Sequence, residues 1–206
     1  METVACHEQC SAEKINAIDL INLALNELNY LPKGASFLNF TSNHDENSWQ
    51  GSAIERLHYF FEPLTVLTFL LPGFPLIYSG QEAGNYRRLL FFDKDEVLWK
   101  EDKMMNLYSK LVRLKKNHPV LKENYTIERI DTDAENHVLA LSGGNESGRI
   151  IFIANISDME TQFFIKCNTH IKKLKDLLMN HSSPFFCQYP LFCSLIAIFC
   201  WKEFHK

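Results

Sequence analysis

A histidine and a carboxylate stand side by side in Asn43-His44-Asp45, directly after the apolar run Phe37-Leu38-Asn39-Phe40-Thr41-Ser42. A carboxylate accepts hydrogen bonds and steadies positive charge, and an imidazole donates or accepts one hydrogen bond beside it. Two neighbours in a continuing strand point to opposite faces. At the end of a strand, where the chain turns into a loop, both can reach one ligand. A second run, Phe74-Pro75-Leu76-Ile77-Tyr78, ends in Ser79-Gly80-Gln81-Glu82, again with an acid just past the apolar segment. Each residue also has a plainer reading. Asp45 can cap the following turn, as Asp and Asn often do. His44 can be a structural histidine. Glu46 and Asn47 can be loop polar groups, and Trp49 can be local packing or a stacking surface. Glu82 is expected to pair with a nearby cation.

The elements that must carry these residues follow from periodicity and punctuation. Glu13 to Tyr30 has apolar residues near helical spacing (Ile15, Ile18, Ile21, Leu25, Leu28), with Ser11 placed as a cap and Pro32-Lys33-Gly34 as a stop. Ser36 to Thr41 is short and apolar, as a buried parallel strand is. Ala53 to Leu71 reads as helix, with Pro63 as kink or boundary and Pro72-Gly73 as terminator. Positions 85–99 form a long loop rich in charge and aromatics, a length that in compact domains usually accompanies function. Asp102 is placed to cap a helix from Lys103 to Asn117 that ends at His118-Pro119. Two strands, each followed by an acid, with a helix between them, read as consecutive β/α units of one barrel, a fold whose chemistry sits at the C-terminal strand ends.

Beyond Pro119 the pattern alternates: Tyr125 to Ile130, His137 to Leu141, Arg149 to Ile156 and Thr161 to Ile165 read as strands, with a turn cluster at Ser142 to Gly148. From Pro184 to Trp201 the chain is almost wholly apolar and contains no Lys or Arg. Two prolines and a length near the ~20-residue minimum weigh against a membrane-spanning helix. A pair of buried strands suits it better, and an aberrant terminal segment is the remaining reading.

The 206 residues, 46% hydrophobic with 16 Phe, suit one domain and part of another, and the net charge of −4 supplies no basic face for nucleic acid. The six cysteines sit near the two ends; Cys6-His7-Glu8-Gln9-Cys10 reads either as a metal half-site or as ordinary thiols, since no second pair follows at zinc spacing. Met1 to Ala5 has neither a basic start nor an apolar stretch, so no signal peptide is visible.

Four segments resemble one family in order and spacing. Phe40-Thr41-Ser42-Asn43-His44-Asp45-Glu46-Asn47 is similar to the fourth conserved motif of the α-amylase family, glycoside hydrolase family 13. Leu71 to Glu82 resembles that family's last barrel strand. Arg88 to Asp95, with Trp99, resembles the loop that follows it. Leu107 to Leu121, ending Asn117-His118-Pro119-Val120-Leu121, resembles the final barrel helix and its exit. The likeness runs from about Phe37 to Leu121 and continues more weakly, in β-rich sequence, to about Lys166.

The resemblance implies an α/β-then-β fold: the last two β/α units of a (β/α)8 TIM barrel over residues 1–121, then an antiparallel β-sandwich-like domain over 122–206. It implies a retaining glycosidase acting on α-glucans, with Asp45 as the transition-state carboxylate and His44, Asn43, Trp49 and Arg88 as substrate contacts. Arg88, Asp93 and Asp95 lie where outer subsites would be. No metal ligand or cofactor is expected in this chain, the family's calcium-site elements being absent from it. The nucleophile in its Gly-Phe-Arg-x-Asp setting and the general-acid glutamate are absent too, so the chain alone is expected to be inactive and to need the rest of a barrel, which takes ~250 residues. A non-catalytic carbohydrate-binding or scaffold protein of the same descent is the alternative, and a tail-anchored membrane protein a weaker third.

Overall fold

The computed structural model describes residues 16–122, 125–146, 148–157, 161–165, 174–176, 182–183, 191–193 and 196–201. Cys6 to Cys10, Ser11 and Glu13 lie outside them. In chain order the helices are α1 (Ala17–Asn29), α2 (Ala53–Leu57), α3 (Phe61–Leu70) and α4 (Lys103–Asn117). The strands are β1 (Leu38–Asn39), β2 (Phe74–Pro75), β3 (Thr126–Arg129), β4 (Val138–Asn145) and β5 (Gly148–Asn155). They continue with β6 (Thr161–Phe163), β7 (Leu174–Asp176), β8 (Ser182–Ser183), β9 (Leu191–Cys193) and β10 (Ile196–Trp201). The chain divides into two compact units: one holds Leu31–Lys115, the other Asn16–Tyr30 and the described residues from Lys116 onward. That division differs from a boundary at Leu121, and it moves α1 out of the first unit.

In the first unit β1 and β2 pair in parallel, Leu38 opposite Phe74 and Asn39 opposite Pro75. Phe74 N donates to Phe37 O at 2.9 Å and Leu76 N to Asn39 O at 2.8 Å, the evenly spaced pattern of parallel strands. Gly73 makes the approach possible: its φ is +113°, and a Cβ there would lie 2.4 Å from Phe37 O. A helical crossover joins the two strands, so the β/α/β order expected of positions 36–78 is present, though the regular strands are shorter than Ser36 to Thr41 and Phe74 to Tyr78.

The crossover is broken earlier than Pro63. Ser52 and Glu55 form a reciprocal capping box that starts α2. Helix α2 ends at His58, whose φ of +47° no α-helix accommodates. Pro63 instead sits in the first turn of α3, where its missing N–H costs nothing. Helix α3 is buried nearly all round, through Phe61, Val66, Leu67, Phe69 and Leu70, as the wrapping of a sheet requires. Asp102 caps α4 as expected, Met104 N donating to its Oδ1 at 3.0 Å. The buried stripe of α4 is Met104, Tyr108 and Leu111.

In the second unit the main sheet has the order β3-β4-β5-β10-β7-β8, and β6 pairs with β9. All these pairings are antiparallel. The glycines at 143 and 144 extend β4, and Gly148 begins β5, so most of the expected turn cluster lies inside the strands, with Asn145 paired to Gly148. Phe163 and Ile165 join Val138, Ala140, Ile151 and Ile153 in one core. Helix α1, capped by Asn16 rather than further upstream, packs on β4 and β3 with Ala17, Leu20, Ile21 and Ala24 buried. The apolar tail supplies two strands, as expected, but not as a pair: β9 joins β6, and β10 lies between β5 and β7. Among the described residues no helix is long and apolar enough to cross a membrane.

Candidate functional site

The chain leaves β1 through Thr41 and Ser42 and enters a turn of π-helix, Glu46–Gln50. That turn closes with Gly51 N donating to Glu46 O at 3.1 Å. Single π-turns of this kind recur at functional sites because they re-aim side chains. Asn43 starts the turn: its Oδ1 accepts from Glu46 N at 2.8 Å, and its carbonyl accepts from Asn47 N at 2.9 Å. The capping role open to Asp45 is thus taken by Asn43. Asp45 occupies the N-cap position but makes no capping hydrogen bond. Its carboxylate is 62% exposed and the His44 side chain 70%. His44 Nε2 lies 3.6 Å from Asp45 Oδ2, too far for a hydrogen bond. Both groups therefore keep their hydrogen-bonding capacity for a third molecule.

Arg56 holds this turn in place, and sequence reasoning did not single it out. From α2 its NH2 group reaches Thr41 O at 2.8 Å, its Nε reaches Gly51 O at 3.1 Å, and its NH1 reaches Glu46 Oε2 at 3.0 Å. One planar guanidinium thus ties the entry of the loop to its exit. The Arg56 and Glu46 side chains are only 15% and 13% exposed, and burial lowers the Arg56 pKa from its ordinary value. The signal in the sequence was Glu46 and Arg56, opposite charges flanking a Gly-Ser helix start.

Gln81 fixes the ends of the two strands against each other. Its Nε2 donates to Thr41 Oγ1 at 2.9 Å, and its Oε1 accepts from Tyr78 N at 2.9 Å. Glu82 makes a local contact instead of the expected ion pair: its Oε2 accepts from Gly80 N at 3.0 Å.

The long loop is anchored rather than open. Arg87 grips Asp95 with two nitrogens, at 2.6 and 3.3 Å, and also donates to Glu96 O. Asp95 further accepts from Leu90 N at 2.9 Å and from Glu96 N at 2.7 Å. The Arg87 hydrogen bonds, then these two amides, hold its pKa down at about 2. Buried Asn47 (4% exposed) reads the loop backbone on both sides, donating to Arg87 O at 3.3 Å and accepting from Leu89 N at 2.7 Å. Ser48 Oγ donates to Leu89 O at 2.8 Å. These bonds bring the apolar stretch of the loop onto the π-turn. The His44 ring stacks on Phe91 with centroids 5.8 Å apart and planes at 22°. Trp49 lies 5.5 Å from Phe91 and 6.2 Å from Phe92, and Phe91 and Phe92 meet edge to face at 4.7 Å.

Of the residues read from sequence, the structure gathers His44, Asp45 and Trp49 at one exposed place, with Asn43 beneath them in the turn. Arg88 Nε pairs with Glu55 Oε2 at 3.0 Å, both side chains about half exposed. That arginine and the Ser52 amide lower the Glu55 pKa, the amide more strongly. Asp95 holds the loop together. In sequence Phe91 and Phe92 are only part of an aromatic-rich loop, because nothing in it shows two segments some forty residues apart being zipped by Asn47. Among the described residues no three His, Cys, Asp or Glu side chains come together to hold a metal ion.

No protein-family model matches the chain. Over 144 residues it is 24% identical to the α-amylase MalA of Haloarcula japonica, which covers 67% of this chain and 20% of that protein. It is 26% identical over 139 residues to α-amylase 2 of Dictyoglomus thermophilum, covering 61% of this chain and 24% of that one. The matched region thus spans about a fifth to a quarter of these relatives. The maltogenic α-amylase AmyB of Thermotoga neapolitana superposes with a TM-score of 0.74 at 16% identity, over 94% of this chain and 47% of that enzyme. With its motif segments in the same order, the chain is thus similar in sequence and in fold to part of the α-amylases.

Proposed function

We propose that this chain forms part of a retaining glycoside hydrolase acting on α-glucans, with Asp45 as the carboxylate that steadies the sugar in its oxocarbenium-like transition state and His44 bonding a hydroxyl of the same ring. The observation that carries this reading is the pair itself: two adjacent, exposed side chains past the end of a parallel strand, with no hydrogen-bond partner for either side chain among the described residues. A retaining glycosidase also needs a nucleophile and a general acid. No segment of this sequence matches either motif, so turnover needs groups from elsewhere. Asp45 contributes by binding the flattened, positively charged ring more tightly than the relaxed one.

A barrel setting is part of the same proposal. Leu38 and Phe74, directly opposite each other in register, are both exposed, whereas strands of a parallel barrel are covered on both faces. Further parallel strands covering them would complete the architecture. The second reading, glucan binding without turnover, is favoured by the missing Gly-Phe-Arg-x-Asp segment and by the exposed aromatic group beside His44.

The test compares two ligands on the 206-residue chain: maltoheptaose, and a cationic aminocyclitol analogue of a maltooligosaccharide. Asp45→Asn should weaken the cationic analogue about tenfold, worth about 1.4 kcal/mol, and maltoheptaose by less than about threefold. Equal losses for both ligands would remove the transition-state role. Starch incubated with the chain should release no reducing sugar, and clear turnover would overturn the proposed division of the catalytic groups.

A further inference from the structure

A small cavity of about 10 Å³ lies against the π-turn, room for one water molecule and no more. Ser42 and Asn47 line it from the segment after β1, Tyr78 and Ser79 from the segment after β2, and Asn85 and Tyr86 from the start of the long loop. Ala53 of α2 and Phe61 of α3 supply its apolar side. Ser42 points to an occupant. It is 1% exposed, yet among the described residues its Oγ has a single partner, Asn43 O at 3.5 Å. That is beyond the range of an O–H···O hydrogen bond. A buried hydroxyl without a proper partner is costly, and an ordered water is the usual remedy. We propose that this cavity holds one ordered water, hydrogen-bonded to the Ser42 hydroxyl, which ties the end of β1 to the segment after β2 and so helps to fix the turn that presents His44 and Asp45.

The wall selects the occupant. Among the described residues lining it there is no Asp, Glu, Lys, Arg or His, so a small ion placed there meets no opposite charge. An apolar occupant leaves the Ser42 hydroxyl unmet. A water needs two to four polar partners, and the lining residues have that capacity to spare. Asn47 uses its amide on Arg87 O and Leu89 N, and Gln81, also in the wall, uses its own on Thr41 Oγ1 and Tyr78 N. Each primary amide has a second N–H and a second lone pair beyond those bonds. The Tyr86 hydroxyl donates to Asp102 Oδ1 at 3.2 Å and keeps its own lone pairs for an incoming hydrogen bond. The water site stands without the glucan reading above; only its bearing on Asp45 rests on that reading.

Oxygen-17 magnetic relaxation dispersion, which counts long-lived internal waters, tests this on the 206-residue chain and two variants. Ser42→Ala removes the hydroxyl. Ala53→Val fills the cavity from α2 and leaves the turn's own residues intact. Each variant should hold one long-lived water fewer than the parent. Amide hydrogen exchange reads the second half of the proposal. The π-turn is closed by Asn47 N donating to Asn43 O and Gly51 N to Glu46 O. In both variants these two amides should exchange roughly 3- to 10-fold faster, the size of one hydrogen bond. An unchanged water count in Ser42→Ala overturns the site, and that variant carries the count alone if Ala53→Val does not fold. If both variants lose the water and only Ser42→Ala exchanges faster, the hydroxyl acts by itself and the water's hold on the turn is refuted. Unchanged exchange in both refutes it too. No sugar enters these measurements, so failure of the glucan reading leaves their outcome as it is.

Discussion

Arg56 is the residue on which the geometry of the candidate site depends most, and Arg56→Met isolates its contribution. Methionine keeps the length and most of the apolar stem, so the change removes the guanidinium with little loss of packing. What is lost is a largely buried ion pair to Glu46 and two charge-assisted hydrogen bonds, to Thr41 O and Gly51 O. Breaking a buried pair by removing one partner costs about 3–5 kcal/mol, mostly through the charge left unpaired. A domain with a stability of about 5–15 kcal/mol feels that strongly. In urea, with a slope of about 2 kcal/mol per molar, the midpoint should fall by about 1.5–2.5 M. Trp49, on the turn that Arg56 holds, reports the transition by fluorescence. The double variant Arg56→Met/Glu46→Gln should recover part of the loss, because the stranded carboxylate is gone. Arg56→Lys should fall between, since an ammonium cannot reach three acceptors in a fork. A midpoint for Arg56→Met within about 0.5 M of the parent, a difference of about 1 kcal/mol, would refute the assignment of Arg56 as the clamp of this loop.

Asn47→Ala should cost about 2 kcal/mol by leaving Leu89 N and Arg87 O without partners; trypsin should then cut at Arg87 or Arg88 faster than in the parent, and equal digestion rates would count against the zipper. Gly80 has φ +95°, and a Cβ there would lie 2.8 Å from Val97 Cγ1 and 2.9 Å from Asn85 Cβ, so Gly80→Ala should destabilise by about 2–4 kcal/mol in thermal or urea unfolding, and a neutral result would deny the close approach. Asp95 has its pKa depressed from 3.8 to about 2, so the carboxylate binds its proton more weakly folded than unfolded: its contribution is complete above about pH 5 and disappears as pH falls through 4 toward 2. Arg87→Gln should flatten that acid limb, measurable as a smaller loss of urea midpoint between pH 5 and pH 3, and an unchanged limb would contradict the pairing.

Most of the fold was legible because its signals are local. The cap at Asp102, the stop at Pro119 and the apolar stripe of Met104, Tyr108 and Leu111 set α4 at Lys103–Asn117, as read from sequence. Alternation placed β3, β4 and β5 to within a few residues. The errors are instructive in the same terms. Pro63 suggests a kink or boundary because proline removes an N–H, but in a first turn that N–H has no partner to lose; the break falls at His58, whose positive φ no propensity rule announces. The glycines at 143 and 144 suggest a turn, yet Gly143 pairs with Ile127 and Ile150 and Gly144 with Thr126 and Arg149, since pairing on both sides outweighs their weak strand preference.

The site was legible in its chemistry and hidden in its mechanics. His44 and Asp45 stand out because a polar pair after an apolar strand is anomalous wherever it occurs. The groups that aim them are unremarkable in sequence: an amide at 47, a guanidinium at 56, an amide at 81. Asn47 and Arg56 act on backbone atoms elsewhere in the chain, which leave no trace in residue identity, and Gln81 acts on the distant Thr41 hydroxyl. Asn43 shows the reverse case. It belongs to the motif that draws attention to Asp45, and its Oδ1 is spent on Glu46 N, so its place in the pattern follows from shaping the turn. The division of labour has a physical cause. On the proposed reading Asp45 has to leave its oxygens to the ligand, and a turn held by Asn43, Asn47 and Arg56 rather than by Asp45 itself allows that.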